Sequence, residues 1–154
     1  MKNSLFQPAV LAVALAVFSC GASHGVYAQG AKAIPKPDKM STSEIAGDIF
    51  SRPDTTVSED GSVLDVTSLM ASDGKFASGM YKAGPSREEI TEPYGVDEFM
   101  YFLEGSVTLT SADGTKMVIG PGEAVTIPKE WTGIWETAGY RKIWVIYSHD
   151  GSGL

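Results

Sequence analysis

Two ionisable side chains open candidate strands whose other residues are apolar or aromatic: Glu98 in EFMYFL and Lys142 in KIWVIY. A carboxylate and an ammonium facing each other away from water shift each other's proton affinity and can act as base and acid on one bound molecule. The competing reading of Lys142 is a solvated charge on an edge strand. Histidine and cysteine, which supply most nucleophiles and transition-metal ligands, are scarce, since the chain holds only Cys20, His24 and His149.

The elements that must position these residues are short strands. From Ser62 onward, apolar-rich runs alternate with turn signals, the pattern of an all-β sandwich or barrel. Strands are expected at Val63–Val66, Phe76–Lys82, Glu98–Leu103, Ser106–Thr110, Thr115–Ile119, Ala124–Ile127, Gly133–Thr137 and Lys142–Tyr147. Turns fall at Asp73-Gly74, Gly84-Pro85, Glu104-Gly105, Asp113-Gly114 and Gly120-Pro121-Gly122. Asp113-Gly114 is the clearest hairpin, because glycine accepts the positive φ of a tight reversal. Side chains alternate faces along a strand, so Glu98 shares a face with Met100 and Phe102, and Phe99, Tyr101 and Leu103 point the other way. Lys142 likewise shares a face with Trp144 and Ile146. Both faces of the Glu98 strand are apolar, which predicts cover on each side, from the N-terminal arm or from a second subunit in a homodimer.

The N-terminal residues read as an export signal. Lys2 precedes an apolar run from Ala9 to Phe18, too short for a membrane span of about 20 residues. Val26-Tyr27-Ala28 then offers a cleavage site, so residues 1–28 are read as a signal peptide and the protein as periplasmic or secreted. The alternative is a lipoprotein signal with Cys20 as the lipidated N-terminus. Cleavage after Ala28 would remove Cys20 and His24 and leave His149 as the one imidazole and no thiol. Residues 29–60, interrupted by Pro35, Pro37 and Pro53, read as an irregular arm in which Ser41 and Glu44 form a capping box. The net charge of −7 has no basic run to offset it, which argues against a nucleic-acid partner.

EFMYFLEG, with Glu98 followed after six residues by Gly105, resembles the first motif of the cupin superfamily, G-x5-H-x-H-x3-4-E-x6-G. GEAVTIPKEWTGIWET resembles the second, G-x5-P-x-G-x2-H-x3-N, with Gly122 and Pro128 in register. The run from Phe76 to Tyr147 looks like the subgroup containing ureidoglycine aminohydrolase-like and ethanolamine-utilisation-type cupins. That resemblance implies one small jelly-roll β-barrel, here residues 61–149, followed by a flexible tail, 150–154. It implies activity only weakly, since one fold hosts many functions.

The motif positions also show departures. The first two motif histidines would fall on Glu92 and Tyr94, or on Thr91 and Pro93, and the third falls on Gly133. Of the three-His, one-Glu ligand set only Glu98 remains, so no metal and no other cofactor is expected. The motif turns Glu98 inward, which puts Met100 and Phe102 on the barrel floor. Trp135, Tyr94 and Trp131 would then form an aromatic mouth for a sugar or an ammonium-type cation, unless they simply fill core. Lys142 matches the lysine of the subgroup's Arg-Lys pair.

Three functions remain open on these residues. The barrel binds a small polar or cationic ligand without metal; or it is a small-molecule enzyme, aminohydrolase- or isomerase-like, with Glu98 and Lys142 as catalytic pair; or it is a packed interaction module. A cavity holding Glu98 near Lys142 would favour the enzyme.

Overall fold

The computed structural model describes residues 36–154, so the expected signal segment with Cys20 and His24, and the first residues of the arm, lie outside the described residues. Eight antiparallel strands form the fold: β1 (Thr56–Val57), β2 (Val63–Met70), β3 (Phe76–Ala83), β4 (Ser86–Ile90), β5 (Asp97–Ser111), β6 (Lys116–Ile119), β7 (Ala124–Ile127) and β8 (Gly133–Tyr147). Their order is β1-β2-β3-β8-β5-β6, with β4 added to β8 and β7 added to β5. This is an all-β jelly-roll barrel.

Two 15-residue strands, β5 and β8, organise it. The sequence reading breaks each of them in two, with a turn at Glu104-Gly105. The chain instead continues through, pairing from Asp97↔Tyr147 to Ser111↔Gly133 with register shifts between Phe102 and Glu104 and between Ser106 and Val107. Leu103 and Ala138 are the residues skipped in that register, one bulge in each strand. A bulge inserts one residue and inverts the phase of alternation. Glu98, Met100 and Phe102 accordingly face inward before it, and Val107 and Leu109 after it. In β8, Trp135 and Thr137 are buried on one side of the bulge and Tyr140, Lys142 and Trp144 on the other.

Glycine makes the crossing feasible. Gly105 has φ 66°, and a Cβ there would lie 1.9 Å from the carbonyl oxygen of Gly139. No other residue accommodates both the conformation and the approach. The expected hairpin at Asp113-Gly114 joins β5 to β6, with Ser111 and Gly114 closing the turn. Two short strands, β1 and β4, escape the sequence reading: Ser86-Arg87-Glu88-Glu89-Ile90 is too charged to signal a strand, and β1 is two residues long.

The core has two parts. Met100, Phe102, Val107, Leu109, Ile119, Ile127, Trp135 and Tyr140 pack inside the barrel. Ile49, Val66 and Met80 form a second cluster with Met40, Ile45, Phe50, Leu103 and Ile143. That cluster places the arm on the outer face of the sheet. Its helix, α1 (Thr42–Ile45), carries the expected capping box, in which the Ser41 hydroxyl accepts from the Glu44 backbone and the Glu44 carboxylate from the Ser41 backbone. Arg52 donates to Glu44 at 2.6 Å, and Arg141 reaches out from β8 to the carbonyl of Ala46 and to Glu104. Leu103 is covered in this way, whereas Phe99 and Tyr101 on the same face are 42% and 38% exposed. Among the described residues no helix is long and apolar enough to cross a membrane.

Candidate functional site

Glu98 on β5 and Lys142 on β8 are both about 5% exposed. Lys142 sits opposite Phe102 in the ladder, and its side chain runs along β5 so that Nζ donates to Glu98 Oε1 at 2.7 Å and contacts Met100 Sδ at 2.9 Å. Three rings surround the ammonium, with centroids 5.3 Å (Trp135), 5.4 Å (Tyr81) and 5.8 Å (Tyr140) from Nζ. Burying two charges costs several kcal/mol per ion, which their attraction offsets only when hydrogen bonds and geometry are good. Here the carboxylate's second oxygen is satisfied as well, because the Tyr94 hydroxyl donates to Glu98 Oε2. Burial, then the Glu98 charge, holds the Tyr94 phenol well above its ordinary range, so it stays a donor.

Tyr94 lies on the loop between β4 and β5, fixed by its backbone N–H to the Trp131 carbonyl at 3.0 Å and by an edge contact to the Trp131 ring at 6.3 Å. Trp131 itself donates to Ser111 Oγ at 3.1 Å. It backs Tyr94 from outside rather than facing a ligand. A partly open cavity of about 630 Å3 lies in the barrel, lined by Glu98, Lys142, Tyr94 and Trp135 but not by Met100, Phe102 or Trp131. Phe102 is instead fully buried against Tyr140, with centroids 5.2 Å apart, and Met100 lies fully buried beneath the ammonium. The expectation that these three residues contact a ligand is corrected accordingly: they are packing that supports the residues above them. The tail also differs from expectation. Asp150 accepts from the Ser152 backbone and hydroxyl, Ser148 donates to the Ser152 carbonyl, and Gly153 and Leu154 border the cavity. His149 is exposed and outside the lining.

Several lining residues were not foreseen. Asp65 on β2 accepts from Trp144 Nε1 at 3.1 Å. Desolvation pushes its carboxyl above the usual carboxylate range, with the Trp144 hydrogen bond and the Lys142 charge opposing. Glu88 on β4 is pushed up by desolvation too. Tyr81, stacked on Tyr140 at 6.1 Å, is raised by burial and by the charges of Asp65, Glu88 and Glu98. A charged residue within the apolar run VLDV was the available signal for Asp65. Trp144 shares the Lys142 face by simple alternation. Tyr81 and Glu88 have no comparable signal.

Residues 70–143 match the family model described as an EutQ-like cupin domain. They form a cupin domain. Among solved structures, a Rhizobium leguminosarum bv. viciae protein of unknown function is 26% identical with TM-score 0.53, covering 75% of this chain and 100% of its own. A Pseudomonas syringae pv. tomato protein of the DUF861 family is 19% identical with TM-score 0.51, covering 55% of this chain and 36% of its own, so the present chain spans about a third of that relative. The Clostridium difficile EutQ protein is 20% identical with TM-score 0.48, covering 66% of this chain and 75% of its own. No curated protein matches the chain.

Many cupins hold a metal on the motif glutamate and three histidines, and the residues here do not fit one. Glu92 is exposed, Gly133 has no side chain, and the Glu98 oxygen that would face a cation is bonded to the Lys142 ammonium. Among the described residues no three His, Cys, Asp or Glu side chains gather into a metal-holding group.

Two outcomes follow from this geometry. Lys142→Met or Glu98→Gln alone leaves a buried partner unpaired and should lower stability by about 3–5 kcal/mol, whereas the double substitution should recover most of the loss in urea unfolding. Asp65 gives a pH effect. Its folded pKa is raised above the ordinary 3.8, so the folded state binds the proton more tightly than the unfolded state. Stability contributed by this group is therefore highest below 3.8 and falls as pH rises through the folded value. Asp65→Asn should raise the thermal midpoint at neutral pH, and the gain should shrink in acid. A gain independent of pH would contradict the assignment.

Proposed function

We propose that the cupin cavity is a metal-independent site for a small polar or cationic molecule, on which Glu98 and Lys142 act as base and acid. One observation carries the reading: a buried carboxylate and ammonium, 2.7 Å apart, open together onto a cavity of about 630 Å3. Buried opposite charges that face a cavity are the arrangement general acid–base chemistry needs. In this reading Glu98 takes a proton from the ligand, while the Lys142 ammonium polarises a ligand oxygen or nitrogen and returns a proton. Tyr94 keeps the Glu98 carboxylate oriented. The resemblance to ureidoglycine aminohydrolase-like cupins supports a small nitrogenous substrate and hydrolytic or isomerising chemistry. A packed interaction module is the weaker reading, because a cavity of this size is unfilled by side chains.

We also propose that the protein is exported, cleaved after Ala28, and dimeric through the sheet face left open beside the arm. Phe76, Phe99, Tyr101 and Tyr147 remain 37–48% exposed there, on neighbouring strands β3, β5 and β8. Apolar surface of that extent commonly marks an interface.

For the site, protein purified without chelator should hold no stoichiometric transition metal, and added chelator should leave its thermal midpoint unchanged, since a bound metal stabilises the native state by mass action. Small molecules that raise the midpoint of the wild type should lose that effect in Glu98→Gln, and turnover of any substrate among them should fall roughly 10²–10⁴-fold. A tightly held metal lost in Glu98→Gln would sink the metal-free reading. For assembly, light scattering at micromolar concentration should give twice the chain mass, and Phe99→Glu with Tyr101→Glu should give the monomer. A monomeric wild type would remove the dimer.

A further inference from the structure

The Glu98–Lys142 pair neutralises itself, which leaves the rest of the cavity wall with an excess of negative charge. Asp54, Asp65 and Glu88 line that wall, and among the described residues no cation besides Lys142 lines it with them. Asp54 is exposed, and of the other two Asp65 is the better-defined. Trp144 donates to its Oδ1 at 3.1 Å, the Val66 backbone N–H supports the charged form as well, and among the described residues no cation bonds it. It is thus a largely desolvated carboxylate with no countercharge of its own, facing a cavity.

The position of the indole is itself built into the sheet. Gly79 in the middle of β3 pairs with Trp144 in the ladder, and a Cβ at Gly79 would lie 2.0 Å from the Val66 carbonyl oxygen and 2.7 Å from Trp144 Cζ2. A glycine in a strand interior weakens the strand and commonly marks close approach of another group. Here it lets the Trp144 ring lie against β3 with Nε1 directed at Asp65. Core packing alone does not explain this, because the indole ends on a carboxylate that burial disfavours rather than on an apolar neighbour.

We propose that Asp65, oriented by Trp144, is the specificity-determining residue of the cavity and receives an ammonium group at one end of the ligand. The ligand's other end, bearing an oxygen or nitrogen, then lies against Lys142 and Glu98. The inference rests on the reading of the cavity as a small-molecule site and names the chemistry of what enters it. A neutral ligand of the same size leaves Asp65 desolvated without a countercharge, so discrimination comes from the penalty on the wrong ligand as much as from attraction to the right one.

The three tryptophans provide separate reporters. Trp144 reports on Asp65, Trp135 on the Lys142 end, and Trp131, bonded to Ser111 outside the cavity lining, on the fold alone. Their indole N–H signals are followed by 1H–15N NMR while n-propylammonium chloride or n-propanol is added at constant ionic strength. In the wild type, propylammonium should shift the Trp144 signal saturably, leave Trp131 in place, and bind more tightly than propanol. Asp65→Asn keeps an acceptor for Trp144 and should weaken propylammonium roughly tenfold or more, the loss expected for a charged hydrogen bond, while leaving propanol unchanged. Trp144→Phe, which frees the carboxylate, should weaken it as well, read on Trp135. Equal binding of the two probes to the wild type overturns the proposal, as does undiminished propylammonium binding by Asp65→Asn, and both leave the small-molecule reading standing. If neither probe moves Trp135 or Trp144 in the wild type, the small-molecule reading falls along with the proposal.

Discussion

The structure depends on one constraint: two 15-residue strands must each turn both of their halves toward the same interior. Strict alternation cannot do this for residues of opposite parity such as Trp135 and Lys142. The bulges at Leu103 and Ala138 invert the phase of each strand, and Gly105 passing against Gly139 is what lets the two backbones cross there. Without the inversion Trp135 would point outward while Lys142 pointed in, and the ammonium would lose a wall of its enclosure. The site is thus a product of ladder irregularity as much as of its own side chains.

Within that frame Lys142 Nζ stands against the motif glutamate, the position at which many cupins hold a metal. A divalent ion on a motif glutamate supplies positive charge at a fixed point of the barrel; Lys142 Nζ supplies it covalently, 2.7 Å from the same carboxylate. The substitution changes the chemistry on offer. An ammonium can donate a proton as well as polarise, and it needs no imidazoles to hold it, only a carboxylate, a thioether and aromatic faces. The histidine-free motif and the buried lysine are two sides of one arrangement.

Much of this was legible in the sequence and some was not, for definite reasons. The alternation that buries Glu98, Met100 and Phe102 and exposes Phe99 and Tyr101 holds residue by residue. The pairing of Glu98 with Lys142 could be stated as an option, since Glu98 holds the glutamate position of the cupin motif and Lys142 matches the lysine of the subgroup's Arg-Lys pair. Continuity of β5 and β8 could not be read, because Glu104-Gly105 signals a turn and a bulge with the same residues. For the same reason the sequence could not say which large side chains face the cavity: Trp131, Met100 and Phe102 were expected there, whereas Tyr81, Tyr140 and Trp144 line it. The lining depends on bulge phase and on which side chain outgrows its neighbours, and neither is local information.

Adjacent residues on β8 tie the outside of the barrel to its inside. Arg141 and Lys142 necessarily face opposite ways. Arg141 holds the arm through the Ala46 carbonyl and pairs with Glu104 at 2.7 Å, while Gly47 has no Cβ, which would otherwise lie 2.8 Å from the guanidinium. Lys142 enters the cavity. The arm in turn covers Met80, Leu103 and Ile143, so the β3–β8–β5 face is shielded from water behind Lys142, while Phe99 and Tyr101 behind Glu98 stay exposed. Exclusion of water behind Lys142 lowers the local dielectric there, and a low dielectric strengthens the attraction between a carboxylate and an ammonium. The irregular arm thus serves twice: Asp54, Thr56 and Ser58 border the cavity, and the residues before them supply part of the second wall that a single-layer barrel lacks.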